Sequence, residues 1–126
     1  MNFARIDQLK ACWDAARPLP TATLASLRED LILRWTYHSN AIEGNTLTLN
    51  ETKVVLEGIT IGGKSLREHF EVINHQDAIF YVEEIGRGQE TLSEWQIKNL
   101  HQLALKNIDH EQAVRRRFAP TTGAWM

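Results

Sequence analysis

The stretch SNAIEGN, residues 39–45, predicts where a long helix ends. Gly44 stands where a glycine in the left-handed conformation commonly ends a helix, and Asn45 follows it. Glu43 therefore lies in or beside the last helical turn, where the helix macrodipole places partial negative charge. A carboxylate at this end costs a few tenths to about 1 kcal/mol of helix stability, so its presence requires an explanation.

Helical periodicity extends from this stretch toward the N-terminus. Apolar residues recur at spacings of three and four over residues 6–16, which predicts a first helix, and the prolines of RPLP end it. A second helix is predicted from about residue 23 to residue 42. Ser26 and Glu29 have the spacing of a capping box near its start.

Three more helices are predicted after residue 45, and no convincing strand pattern is present. Each helix follows a Ser or Thr that stands three residues before a Glu, and these pairs are Thr48 with Glu51, Ser65 with Glu68, and Thr91 with Glu94. The predicted inner faces are Leu66, Phe70, Ile73, Asp77 or Ala78, and Tyr81 in the fourth helix, and Trp95, Leu100 and Leu103 in the fifth. The sequence therefore predicts an all-α chain of about five helices.

Composition indicates an ordinary globular domain, or part of one. The chain has 126 residues, 43% apolar and 24% charged, with a net charge of −2. This charge gives no reason to expect a nucleic-acid partner, and the short apolar runs predict no membrane span. Because no signal-peptide pattern is present at the start, we expect a cytoplasmic protein. The single cysteine, Cys12, is expected to be buried on the first helix.

Residue chemistry alone does not assemble a catalytic or metal site. His69 and His75 are six residues apart, which on a helix points their rings to different faces, so no metal site is expected. No Ser-His-Asp or Cys-His set and no glycine-rich phosphate loop is evident. The arginine run at 115–117 could contact phosphate groups, although three arginines on an acidic chain are usually a solvated surface.

A longer pattern gives the stretch at 39–45 a meaning. SNAIEGNTLTLNETKVVLEG at 39–58, followed by GKSLREHFEVINHQDAIFYVEE at 63–84, closely resembles the N-terminal part of Fic-domain proteins. These proteins transfer AMP from ATP to protein hydroxyl groups. Members with an inhibitory helix carry [S/T]xxxE[G/N], which here is Ser39, Glu43 and Gly44. The similarity runs from about Trp35 to Arg117.

The resemblance implies an inhibitory role for Glu43. In such proteins this glutamate reaches into the nucleotide pocket and pairs with the second arginine of the catalytic motif HxFx[D/E]GNGRxxR. That arginine then cannot hold the γ-phosphate of ATP, and the α-phosphate is misaligned for attack. Ser39, one turn earlier, would help to fix the helix end, and Asn45 would lie near the nucleotide. ATP and Mg²⁺ are implied for the full-length family only, and no cofactor is implied for this chain.

The resemblance also has departures. The motif HxFx[D/E]GNGRxxR does not occur in the 126 residues, so we assign no catalytic residue and expect no AMP transfer by this chain alone. Arg115 and Arg117 match a basic segment that precedes the target-binding flap, but Val114 replaces a common glycine. The predicted organisation is a helix and proline break at 1–20, a helix ending in the inhibitory motif at 21–46, part of the Fic core at 47–117, and an atypical tail at 118–126.

Two functions from different classes follow. The first is the autoinhibitory, N-terminal part of a Fic adenylyltransferase that acts on a protein target. The second is a stand-alone, antitoxin-like regulator that delivers Glu43 in trans to a complete Fic protein. In either case, apolar faces that the missing motif-bearing helices would cover favour a homo-oligomer. These faces include Phe70, Ile73, Phe80, Leu100 and Leu103.

Overall fold

The computed structural model describes residues 1–108, and this part of the chain consists of α-helices, turns and loops without a strand. The helices are α1 (Ala4–Ala16), α2 (Thr21–Ile42), α3 (Leu49–Leu56), α4 (Leu66–Arg87) and α5 (Glu94–Ala104). The prediction of an all-α chain with about five helices is confirmed. Val114, Arg115, Arg117 and the tail at 118–126 lie outside the described residues. Within residues 1–108, no helix has both the length and the apolar character that a transmembrane segment requires.

The chain divides into two units, and the boundary falls within α2. The first unit, residues 1–31, contains α1, and every residue of that helix is exposed. The prediction that Cys12 is buried is therefore wrong, because Cys12 lies on α1, which has no buried residue. The capping box of Ser26 and Glu29 is also wrong, since α2 already begins at Thr21 and Ser26 lies inside the helix.

The second unit, which begins at Ile32, is organised around α4. This helix packs against α3 and against α5. Leu47, Val55 and Val72 form a buried apolar cluster between the segment that precedes α3, α3 itself and α4. The core of the unit therefore lies directly beside the segment that follows the end of α2.

The predicted inner faces of α4 and α5 need correction. Leu66 is 67% exposed and Trp95 is 69% exposed, so neither faces the core. Because α4 is contacted by two helices, its buried face is wider than one apolar stripe and includes polar residues, and its buried residues are His69, Val72, Asn74 and Ile79. Of the apolar residues predicted to favour association, Phe80 is 37% exposed and Phe70, Ile73, Leu100 and Leu103 are partly buried. The predicted oligomer stays a prediction.

Side-chain caps set the starts of three helices. The capping boxes of Thr48 with Glu51 in α3 and Ser65 with Glu68 in α4 are confirmed. In α5 the box is formed by Ser93 and Gln96, not by Thr91 and Glu94. The sequence offers both spacings two residues apart, and the later one is used because Gln96 is buried and also donates to Glu90, with an Nε2–Oε2 distance of 2.8 Å.

Left-handed residues end three of the helices. Gly44 and Gly58 have φ values of +97° and +92°, as the sequence predicts for glycines at helix ends. At the end of α4 the same position holds Gln89, with φ of +51°. The Glu90 N–H donates to the Ile85 carbonyl at 3.2 Å, which completes the same type of helix end without a glycine.

Replacing Gln89 by glycine is expected to stabilise the protein by about 0.5–1 kcal/mol. A side chain in the left-handed region costs about 1–2 kcal/mol, and glycine removes this cost while it raises the entropy of the unfolded chain. Urea unfolding followed by circular dichroism measures the change. The matched control is Gln8→Gly within exposed α1, which should not stabilise the protein because that residue lies in a helix interior. Loss of stability in Gln89→Gly would contradict the assignment.

Candidate functional site

The C-terminal end of α2 presents Glu43 at the surface. The Asn45 N–H donates to the Asn40 carbonyl at 3.0 Å, and the Gly44 N–H donates to the Ala41 carbonyl at 3.1 Å. These two bonds, together with the left-handed Gly44, end the helix, and Glu43 is the residue directly before that glycine. The Glu43 side chain is exposed and has no hydrogen bond or ion pair with any other of residues 1–108. Its carboxylate is therefore accessible to an external cation.

Ser39 lies four residues before Glu43 in the same helix, as the motif requires. Its side chain is partly buried, and no hydrogen bond joins it to Glu43 within the described residues. The structure thus brings Ser39 and Glu43 to the same helix end. The functional roles of both residues stay predictions.

Asn45 is buried and binds α4 directly. Its amide Nδ2 donates to the Glu68 backbone carbonyl at 3.1 Å and to Glu71 Oε2 at 3.0 Å. Its Oδ1 accepts from the Leu47 N–H at 2.9 Å. Both amide protons and the amide oxygen therefore have partners inside the protein. The contact with nucleotide that the resemblance implies stays a prediction, whereas the anchoring role is what the structure shows.

Thr46 makes the second connection to α4. Glu68 Oε1 accepts from the Thr46 N–H at 2.8 Å and from the Thr46 hydroxyl at 2.6 Å. The other oxygen, Oε2, accepts from the Ser65 N–H and hydroxyl, both at 3.2 Å. Lys64 Nζ adds a bond of 3.0 Å to the Thr46 carbonyl. The bonds from Thr46, joined by those from Ser65, lower the pKa of Glu68 from its ordinary 4.5 to about 2.

A second anchor lies one to two turns before the end of α2. Thr36 is fully buried, and its hydroxyl lies 3.1 Å from Nδ1 of His75 on α4. The rings of Trp35 and His75 lie nearly perpendicular to each other, with 5.8 Å between the ring centroids. Burial lowers the pKa of His75, which favours the neutral ring. Asn40 Nδ2 donates to the Thr36 carbonyl at 2.9 Å, so the last turns of α2 are linked to this contact.

Both ring nitrogens of His69 have partners inside the protein. Nδ1 lies 2.7 Å from the Ser65 carbonyl, and Nε2 accepts from the Ile61 N–H at 2.9 Å. This pattern fixes the tautomer with the proton on Nδ1. Within residues 1–108, no three His, Cys, Asp or Glu side chains are grouped so that they could hold a metal ion.

Comparison with known proteins identifies the relatives of this chain. Over 100 residues it is 39% identical to protein adenylyltransferase fic-1 of Caenorhabditis elegans, which covers 77% of this chain and 20% of the relative. Over 116 residues it is 31% identical to protein adenylyltransferase Fic of Nematostella vectensis, which covers 89% of this chain and 27% of the relative. By sequence, this chain is a relative of the Fic protein adenylyltransferases.

The Fic relationship agrees with the resemblance carried by residues 39–84. The chain spans about a fifth of the length of the nematode relative and about a quarter of that of the sea-anemone relative. No protein-family model matches the sequence, and no solved structure matches it. The Fic relationship thus rests on sequence similarity that covers most of this chain but only a small part of each relative.

Proposed function

We propose that this chain is the autoinhibitory part of a Fic protein adenylyltransferase, with Glu43 as its inhibitory residue. The enzyme would transfer AMP from ATP, with Mg²⁺, to a hydroxyl group of a target protein. The observation that carries this proposal is the end of α2, where an exposed carboxylate is held on an anchored helix end without a partner among residues 1–108. The relationship to named adenylyltransferases supplies the chemistry that such a carboxylate would control.

Glu43 would act through an arginine that binds the γ-phosphate of ATP. A carboxylate and a guanidinium form two parallel charge-assisted hydrogen bonds, so the arginine is withdrawn from the nucleotide. Without it the α-phosphate is not positioned for attack by the target hydroxyl. The same pair would offset the cost of a negative charge at a helix C-terminus. Ser39 would steady this end, and Arg115 and Arg117 would contact phosphate or target.

A chimaeric enzyme tests the proposal. The 100 matched residues of the Caenorhabditis elegans relative are replaced by those of this chain, and AMP transfer from labelled ATP to protein is measured. Glu43→Gly is expected to raise the rate by about 5–150-fold, the usual range of coupling between a regulatory and an active site. Glu57→Gly is a matched control, because Glu57 is also the exposed residue before a left-handed glycine.

Equal rates in the two glycine variants would refute the inhibitory role of Glu43. The alternative function, inhibition in trans, is tested with the same reagents. The separate 126-residue chain is added to the Glu43→Gly chimaera, whose own inhibitory residue is missing. Inhibition by the added chain, and not by its Glu43→Gly variant, would favour the antitoxin-like regulator. The alternative has support in the exposed position of Glu43, which leaves it accessible to a second protein.

A further inference from the structure

Asn45 and Thr46, which follow the end of α2, are hydrogen-bonded to the first turns of α4. Asn45 donates to the backbone of Glu68 and to the side chain of Glu71, and Thr46 donates twice to the Glu68 carboxylate. We call Asn45, Thr46, Glu68 and Glu71 the α2–α4 clasp. Its bonds connect residues that are 22–26 positions apart in the chain. The clasp therefore fixes where the chain leaves α2.

Glu43 lies between the clasp and a second anchor. On one side, Thr36 contacts His75 of α4. On the other side, Asn45 is only two residues beyond Glu43, and its N–H closes the helix end on the Asn40 carbonyl. The segment between the anchors, residues 37–44, consists of the last one to two turns of α2, Glu43 and the left-handed Gly44. With both ends held, the backbone of Glu43 has little freedom to move.

The carboxylate of Glu68 does more than cap α4. A capping box requires the acidic side chain to accept from the N-cap N–H, and Oε2 does this at Ser65. Glu51 has the same place in the box of α3, where its Oε1 accepts from the Thr48 N–H at 3.0 Å. In Glu68 the remaining oxygen, Oε1, receives both bonds from Thr46. Capping of α4 leaves these two bonds unexplained.

We propose that Glu68 is a positioning residue for Glu43, and that inhibition requires the α2–α4 clasp to be closed. This inference rests on the proposed function and adds a means of regulation. Holding the helix end in advance lowers the entropy lost when Glu43 binds its arginine, so the closed clasp strengthens inhibition. Opening the clasp frees the backbone around Glu43 and weakens the pair. Any ligand or partner that competes for Thr46 or Asn45 would then activate the enzyme.

Two substitutions open the clasp in different ways. Glu68→Gln keeps the shape but replaces the charged carboxylate by a neutral amide with one acceptor oxygen, so it can cap α4 or hold Thr46 but not both. Thr46→Val removes the bonds that the hydroxyl makes with Glu68 and with Lys64 at an exposed position, and it leaves the capping box unchanged. Glu94→Gln is the control, since Glu94 is an exposed carboxylate in the first turn of α5 that pairs with the exposed Lys98.

The test measures two quantities. In the 126-residue chain, hydrogen exchange at the amides of residues 43–46 is expected to become at least about tenfold faster in Glu68→Gln and Thr46→Val, but not in Glu94→Gln. In the chimaera, each clasp variant is expected to raise AMP transfer severalfold. When Glu43→Gly is already present, neither variant should raise the rate further. A role limited to folding would lower the rate in both backgrounds.

The possible outcomes separate the two proposals. If Glu43→Gly activates the chimaera and the clasp variants do not, the positioning role of Glu68 is overturned and the proposed function stands. If Glu43→Gly itself has no effect, the proposed function fails and the positioning role falls with it. Activation by the clasp variants that persists in the Glu43→Gly background would also overturn the inference, because Glu68 would then act through another residue.

Discussion

Replacing Asn74 by aspartate is expected to destabilise the protein by about 3–5 kcal/mol at pH 7. Asn74 is 2% exposed, and its Nδ2 donates to the carbonyls of Ala104 at 3.2 Å and of Lys106 at 2.6 Å. An aspartate of the same shape would bury a negative charge against these two carbonyl oxygens. The end of α5 would lose the two hydrogen bonds that Asn74 of α4 donates to it.

Urea unfolding at pH 7, followed by circular dichroism, measures the effect of Asn74→Asp. The control is Asn50→Asp, the same chemical change at an exposed position in the first turn of α3. There the new charge lies near the positive end of the helix dipole and should change stability by no more than about 0.5 kcal/mol in the stabilising direction. A loss below about 1 kcal/mol in Asn74→Asp would show that Asn74 does not hold the end of α5.

Asn74 illustrates which features sequence patterns could not predict. Its partners lie 30 and 32 residues away, beyond the reach of any local pattern. The same is true of Thr36 with His75, which are 39 residues apart. Hydrophobic periodicity describes which face of a helix is apolar, but it carries no signal for a buried amide whose partners are backbone carbonyls.

Local chemistry was predictable where the interacting groups are three to five residues apart. The capping box of Ser65 with Glu68 and the left-handed Gly44 follow directly from residue type and spacing. The failures have physical reasons as well. Cys12 and Trp95 have apolar side chains at helical spacing, but spacing alone does not ensure burial, and both side chains are exposed.

The candidate site was predictable only in part. Residue chemistry identified Glu43 as an unfavourable charge at a helix end, and the resemblance to Fic proteins suggested its purpose. The anchoring of Asn45 and Thr46 by Glu68 was missed, because Glu68 was already explained as a capping residue. The sequence carries no sign of the bond to Thr46, because a glutamate three residues after a Ser or Thr looks the same whether or not it also has a long-range partner.

Acidification from pH 5 to pH 2 is expected to remove about 1–2 kcal/mol of stability that depends on Glu68. Bonds from Thr46 and Ser65 lower its pKa from 4.5 to about 2 in the folded protein. As the pH falls, the unfolded chain therefore binds a proton at this group before the folded chain does, and protons favour unfolding. The stabilisation is complete above about 4.5 and is lost as the pH approaches 2. The magnitude allows for solvent screening near the surface.

The measurement compares the free energies of unfolding of the unchanged protein and Glu68→Gln at pH 5, 4, 3 and 2. Glutamine does not titrate, so the difference between the two proteins should shrink toward zero as the pH falls. Burial lowers the pKa of His75, whose destabilising effect begins below its ordinary value of 6.5 and is common to both proteins. A difference that stays constant down to pH 2 would mean that neutral hydrogen bonds, rather than the Glu68 charge, hold Thr46 to α4.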